Sequence, residues 1–155
     1  MKFLIDSTLG KLAKWLRILG YDAAYHRLRI EDREFENAAA EGRIFLSRQI
    51  TAPGRQYGGQ VLVISHDRLP DQLSEVREKL SLAPEAQNFF TRCLICNAKL
   101  LPVGREDVAG EVPAFIIDNY TDFRKCTSCK KVFWPGTHRG RMLKFIETRN
   151  RGCPL

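Results

Sequence analysis

Four short segments, FLI at 3–5, DAAY at 22–25, RIFLS at 43–47 and VLVI at 61–64, are too short for helices and are bounded by turn formers. Segments with helical spacing lie between or after them, and this alternation constrains the fold more than any other feature. Strands buried on both faces that alternate with helices build βαβ units, hence an α/β domain with a parallel sheet and helices on both faces. Parallel strands share a direction, so Asp6, Gln49 and Asp67, each just beyond such a strand, are expected at one edge of the sheet.

The first unit shows the pattern most clearly. After Asp6, Ser7 or Thr8 can cap a helix in which Leu9, Leu12, Ala13, Leu16 and Leu19 form the inner face. Lys11, Lys14 and Arg17 are expected to face water, and Gly20 to end the helix. Asp6 thus follows a buried strand, where open α/β sheets keep their sites, although a turn or capping role explains its position equally well. Asp32 opens a second helix with Phe35, Ala38 and Ala39 inward and Gly42 at its end, and is most simply an N-cap. Residues 51–59 (TAPGRQYGG) form a turn-rich loop. Leu69, Leu73, Val76 and Leu80 mark a third amphipathic helix over 70–82.

Beyond a hinge at 82–88 (LAPEAQN) the pattern changes. Cys93 and Cys96, then 29 residues, then Cys126 and Cys129 make two CxxC pairs. Two tight turns that each present two thiolates close a tetrahedral Zn²⁺ site, and four thiolates leave no open position, so this zinc is expected to be structural. Redox dithiols fit less well, because neither pair opens a helix after a buried strand. Cys153 has no paired motif and reads as a spare thiol. The expected division is residues 1–88 and a small zinc ribbon with a basic tail over 89–155.

Charge separates the same two parts. Residues 1–90 carry 13 Lys and Arg against 12 Asp and Glu, whereas residues 91–155 carry 12 against 6. A basic excess confined to the second part points to a polyanion, with a solvated basic face as the plain alternative. Lys130, Lys131, His138, Arg139, Arg141, Lys144, Arg149 and Arg151 supply cations there, and Phe133 and Trp134 supply rings for stacking unless they pack the ribbon itself. No apolar run approaches the roughly 20 residues of a membrane span, and the start has no signal-peptide pattern, so no membrane and a cytoplasmic location are expected.

In these motifs the chain resembles the Mut7-C RNase family, a PIN-like nuclease domain followed by a zinc ribbon. The resemblance covers nearly the whole length and rests on FLIDSTLGKLAKWLRILGYD, DREFENAAAEGRIFLSR, Gln72 and Leu73 after VLVISHD, RCLICNAKL and CTSCKKVFWPGTHRGRM. It implies a PIN-like fold and cleavage of RNA by clustered carboxylates holding Mg²⁺ or Mn²⁺. Asp6 and Asp32 match the family's acids and Asp67 a looser fourth, with Arg48 among the RNA contacts and a homodimer plausible by the same resemblance. The family's T-R-D after the third strand is Ser47, Arg48, Gln49 here. Gln49 offers a neutral amide oxygen that neither balances a cation's charge nor accepts a proton, so it is a weak ligand or orients water. Asp67 or Glu36 would then complete the site. Otherwise the chain binds RNA with weakened or absent catalysis. A DNA-binding regulator built on the ribbon explains the basic tail but leaves the acids at the strand ends unused.

Overall fold

The computed structural model describes residues 1–49 and 57–150. Most of the loop read at 51–59, together with Arg151 and Cys153, lies outside the described residues, and the side chain of Arg149 is not described. The chain forms two compact units, Met1–Lys99 and Leu100–Leu155.

In the first unit, β1 (Lys2–Ile5), α1 (Gly10–Ile18), β2 (Asp22–Tyr25), α2 (Asp32–Ala40), β3 (Ile44–Ser47), β4 (Val61–Val63) and α3 (Leu69–Leu80) follow one another. The four strands form one parallel sheet in the order β2-β1-β3-β4. The chain moves from β1 to β2 on one side and then crosses back to β3 on the other. Right-handed crossovers in opposite directions put α1 and α2 on opposite faces. Leu4 and its β3 partner Phe45 accordingly point to the α2 face, where they pack with Ile30, Phe35, Ala38 and Tyr57. By strand alternation Phe3 and Ile5, both fully buried, point to the other face.

Local chemistry decides the helix ends. Asp6, rather than Ser7 or Thr8, caps the 3₁₀ turn Ser7–Leu9 that precedes α1, its Oδ1 accepting from the Thr8 backbone N–H at 2.9 Å. Likewise Glu31, not Asp32, is the N-cap of α2, and its backbone N–H donates to Glu34 Oε2 at 2.9 Å in a capping box. After α1 the chain turns at Gly20, with φ +91°, where a Cβ would lie 2.3 Å from the Asn88 carbonyl oxygen. Only glycine meets both demands.

Arg17 departs from the expected water-facing position. It is 5% exposed, and its guanidinium donates to the carbonyls of Ala23 (2.9 Å), Leu94 (3.0 Å) and Ile95 (3.1 Å). Burial pushes its pKa down, opposed by the neighbouring Cys93, Cys96 and Asp22. Its partners are backbone oxygens from other elements, which helical spacing does not reveal.

In the second unit β5 (Leu100–Val103), β6 (Phe123–Cys126) and β7 (Val132–Phe133) form an antiparallel sheet in sequence order. The apolar run 114–117 belongs to a short helix, α4 (Ala114–Asn119). Val108, Val112 and Phe123 form a small core with Ile116, Ile117, Tyr120 and Val132 against it. Neither Phe133 nor Trp134 is a member of that cluster. The basic tail is helical as α5 (Thr137–Asn150). No described helix is long and apolar enough to cross a membrane.

Candidate active-site cleft and metal centre

The strand order reverses at β1, so the crevice beyond the carboxyl ends of β1 and β3 is the place where an open α/β sheet holds a ligand. A cleft of about 460 Å³ lies there, lined by Asp6, Thr8, Leu28, Ile30, Phe35 and Gln49 among others. That volume suits a nucleotide-sized ligand. Asp6 is held at its mouth by local bonds. Its Oδ1 accepts from the Thr8 N–H and from Thr8 Oγ1 at 2.5 Å, and Oδ2 accepts from the fully buried Ser47 hydroxyl. Ser47 Oγ also meets Gln49, accepting from its N–H at 3.0 Å and lying 2.6 Å from its carbonyl oxygen. The serine thereby ties the end of β1 to the end of β3.

The other sequence-derived positions separate. Gln49 lines the cleft with Asp6. Asp32 is exposed in the first turn of α2 and is not among the residues that line the cleft. Asp67 is paired with the Arg48 guanidinium, and both line a second cleft with Thr8, Lys11, Arg68 and Gln72. Glu36 is exposed on α2. Asp6, Asp32 and Asp67 do not form a group of ligand atoms within 4.8 Å of one another among the described residues.

Sequence reading overlooked Glu75, the residue that shapes the loop carrying Asp67. It sits on α3 only 4% exposed, and accepts from Ser65 N (3.0 Å), Ser65 Oγ (2.8 Å) and Lys79 Nζ (2.6 Å), with His66 Nδ1 at 2.8 Å. One turn earlier the buried Gln72 donates to the carbonyls of His66 (3.0 Å) and Asp67 (3.3 Å). The available signal was a polar pair, Gln72 and Glu75, flanking Leu73 and Val76 on the inner face of α3. Burial alone pushes the Glu75 carboxyl up, but the hydrogen bonds from Lys79, His66 and Ser65 outweigh it and hold the group far below the ordinary value of 4.5. A depressed folded pKa stabilises the protein above the unfolded value, and that stabilisation is lost as pH falls. Glu75→Gln is therefore expected to lower stability by about 2 kcal/mol at pH 7. The gap to wild type should narrow by about 1.4 kcal/mol per pH unit below roughly 4.5, read from urea unfolding at pH 7 and pH 3.5. A gap that does not change with pH would show that the carboxylate's charge is not what matters.

The four cysteines are brought together. Cys93, Cys96, Cys126 and Cys129 place their sulfurs within 4.8 Å of one another, with Cys93 and Cys126 buried. A tetrahedral zinc with bonds of about 2.3 Å needs sulfurs roughly 3.8 Å apart, and four thiolates are a donor set it favours, so these residues fit the ion. The Cys93–Cys96 turn is fastened at the amino end of the parallel sheet. Asn97, at φ +71°, accepts from the Ala23 N–H (2.9 Å) and donates to Asp22 (2.7 Å), which also pairs with Arg43 at 2.6 Å. Burial raises the Asp22 pKa, but the bonds from Arg43 and Asn97 and the charges of Arg43 and Arg92 bring it below its ordinary value. The Asp6 cleft lies at the opposite, carboxyl end of the same strands.

Of the expected RNA contacts on the second unit, Lys131, His138, Arg141 and Lys144 are exposed, and Trp134 is 37% exposed. Lys130 donates to the Thr127 carbonyl at 2.8 Å, and Arg139 pairs with Asp122 at 3.1 Å.

A family model described as the Mut7-C RNAse domain matches residues 1–146. Neither the search of curated proteins nor that of solved structures returned a match.

Proposed function

Because the chain belongs to the Mut7-C RNAse family, which implies a ribonuclease-type function with RNA as substrate, we propose that it is a metal-dependent endoribonuclease cutting at the cleft beyond β1 and β3. One observation carries this reading. A carboxylate, Asp6, held by Thr8 and Ser47 at the point where the strand order reverses, lines an open cleft of nucleotide size. Mg²⁺ and Mn²⁺ take oxygen ligands and Mg²⁺ commonly keeps several waters, so one or two carboxylates suffice to hold the ion. Asp6 is the residue that would hold it in the cleft, with the Gln49 amide oxygen as a neutral donor; Asp32, outside the cleft lining, is not brought to the same point. When bound, the cation supplies a more acidic water and offsets charge developing on the scissile phosphate.

The chain's own residues divide the remaining work. Thr8 and Ser47 fix the Asp6 carboxylate by donating to its two oxygens. Gln49 orients water without accepting a proton, since an amide has no basic site at neutral pH. Leu28, Ile30 and Phe35 offer an apolar wall to a base. The zinc site is structural within a PIN-like nuclease with an appended ribbon, whose exposed Lys131, Trp134, His138, Arg141 and Lys144 grip RNA.

The test is cleavage of a labelled single-stranded RNA with added Mn²⁺ or Mg²⁺, using the zinc-loaded protein. Turnover that disappears with a chelator too weak to strip zinc, and returns on adding Mn²⁺, is the expected result. RNA binding without metal-dependent cleavage would overturn it. The neutral residue at 49 favours that second reading, a binding protein on a nuclease scaffold, and Gln49→Asp separates the two. A gain of cutting in the variant alone means that only the anionic ligand was missing.

A further inference from the structure

The second cleft, on the other side of Thr8 from the Asp6 cleft, has a different chemistry. Thr8 lines both, so the two form one path across the carboxyl edge of the sheet. The first half presents one carboxylate, Asp6, and one cation, Arg29, beside an apolar wall of Leu28, Ile30 and Phe35. The second presents three cations, Lys11 from α1, Arg48 beyond β3 and Arg68 before α3, against the single carboxylate of Asp67. All four side chains belong to exposed residues, and they arrive from three separate segments of the chain.

We propose that the second cleft is the phosphate-binding subsite for the RNA strand next to the bond being cut, and that Asp67 positions Arg48 there rather than holding the catalytic metal. The inference rests on the reading of the first cleft as the cutting site. Charge complementarity carries it. A phosphodiester strand leaving Asp6 past Thr8 meets a surplus of positive charge, three cations against one carboxylate. The Arg48–Asp67 pair is exposed, with Asp67 79% accessible, so solvent screens it and a phosphate oxygen can replace the carboxylate on the guanidinium. Glu75 and Gln72 hold the segment from Ser65 to Asp67, and Thr8 Oγ1 accepts from the Arg48 N–H at 3.3 Å. Both sides of the subsite are thereby anchored to the sheet.

The experiment measures binding of a fluorescent 12-nucleotide single-stranded RNA to the full, zinc-loaded chain carrying Asp6→Asn, so that no cleavage intervenes, between 50 and 200 mM KCl. Adding Lys11→Ala and Arg68→Ala is expected to weaken binding by about tenfold and to flatten the plot of log K against log salt by roughly 1.4, the change for two lost phosphate contacts on a single strand. Asp67→Asn is expected to bind at least as tightly as its parent. Unchanged affinity and slope in the double variant, while Arg141→Ala with Lys144→Ala weakens binding, would place the strand elsewhere and overturn the proposal. Weaker binding on Asp67→Asn would overturn the role given to that residue. If wild type fails to cut but the double variant still loses affinity and slope, the cutting site is refuted and the cleft stands as an RNA-binding groove.

Discussion

Replacing Asp6 by asparagine is expected to reduce metal-dependent RNA cleavage by on the order of 10³-fold, the scale of losing one preorganised electrostatic partner of the transition state. The substitution is close to isosteric, and its consequences divide cleanly. Asparagine caps helices as well as aspartate does, so its Oδ1 keeps the Thr8 N–H. Its amide nitrogen can donate to Ser47 Oγ, which then turns its own proton to the Gln49 carbonyl 2.6 Å away. What disappears is the negative charge facing the cleft. Thermal stability should therefore change by less than the roughly 4–8 °C that accompanies 1 kcal/mol in a domain of this size. Single-turnover cleavage with a melting curve on the same preparation checks both halves. Unaltered cleavage would remove Asp6 from the mechanism, and a collapse of the melting temperature would mean that the charge serves folding instead.

Removing the zinc is expected to have the largest effect on stability. The small core of the second unit is built on Val108, Val112 and Phe123 with a few half-buried neighbours. A cluster of that size gives little hydrophobic stabilisation, whereas a four-thiolate zinc site supplies on the order of 10 kcal/mol of apparent binding energy to a small fold. The purified protein should carry one zinc per chain, and Cys126→Ser should lose it. Cys126 is buried and is paired with Leu100 across the β5–β6 ladder, so the same change should melt that hairpin. The Cys93–Cys96 turn has other fastenings in Arg17, Asn97 and Asp22, and should loosen less. Elemental analysis gives the zinc content, and hydrogen exchange resolves the two segments. Full retention of β5–β6 protection in Cys126→Ser would show that zinc does not stabilise the hairpin.

Within the first unit, Asp6 lies at the carboxyl end of β1, and the Arg17, Asp22 and Asn97 contacts that hold the Cys93–Cys96 turn lie toward the amino end of β2. A variant that loses zinc can therefore be compared with one that loses the carboxylate, and the folding and reaction effects read apart.

Much of this was legible in the sequence because it depends on near neighbours. The period of apolar residues announced β1, α1, α2, β3 and α3 to within one or two residues. The left-handed turns at Gly20 and Gly42 follow from what only glycine adopts easily, and the CxxC spacing announced a four-sulfur site. Asp6 at a strand end and Gln49 beyond β3 were placed by the same local pattern, and the sheet brings both to one cleft. What the tertiary structure alone decided involves partners from elsewhere in the chain. Arg17 reads as a water-facing helix residue until the carbonyls of Leu94 and Ile95 arrive beside it. Nothing local supplies partners for Glu75 until Ser65 and His66 donate to it, and nothing local pairs Asp67 with Arg48. Hydrophobic periodicity is a property of consecutive residues, but whether a charged group can be buried or left in water depends on which donors and acceptors folding brings within about 3 Å of it.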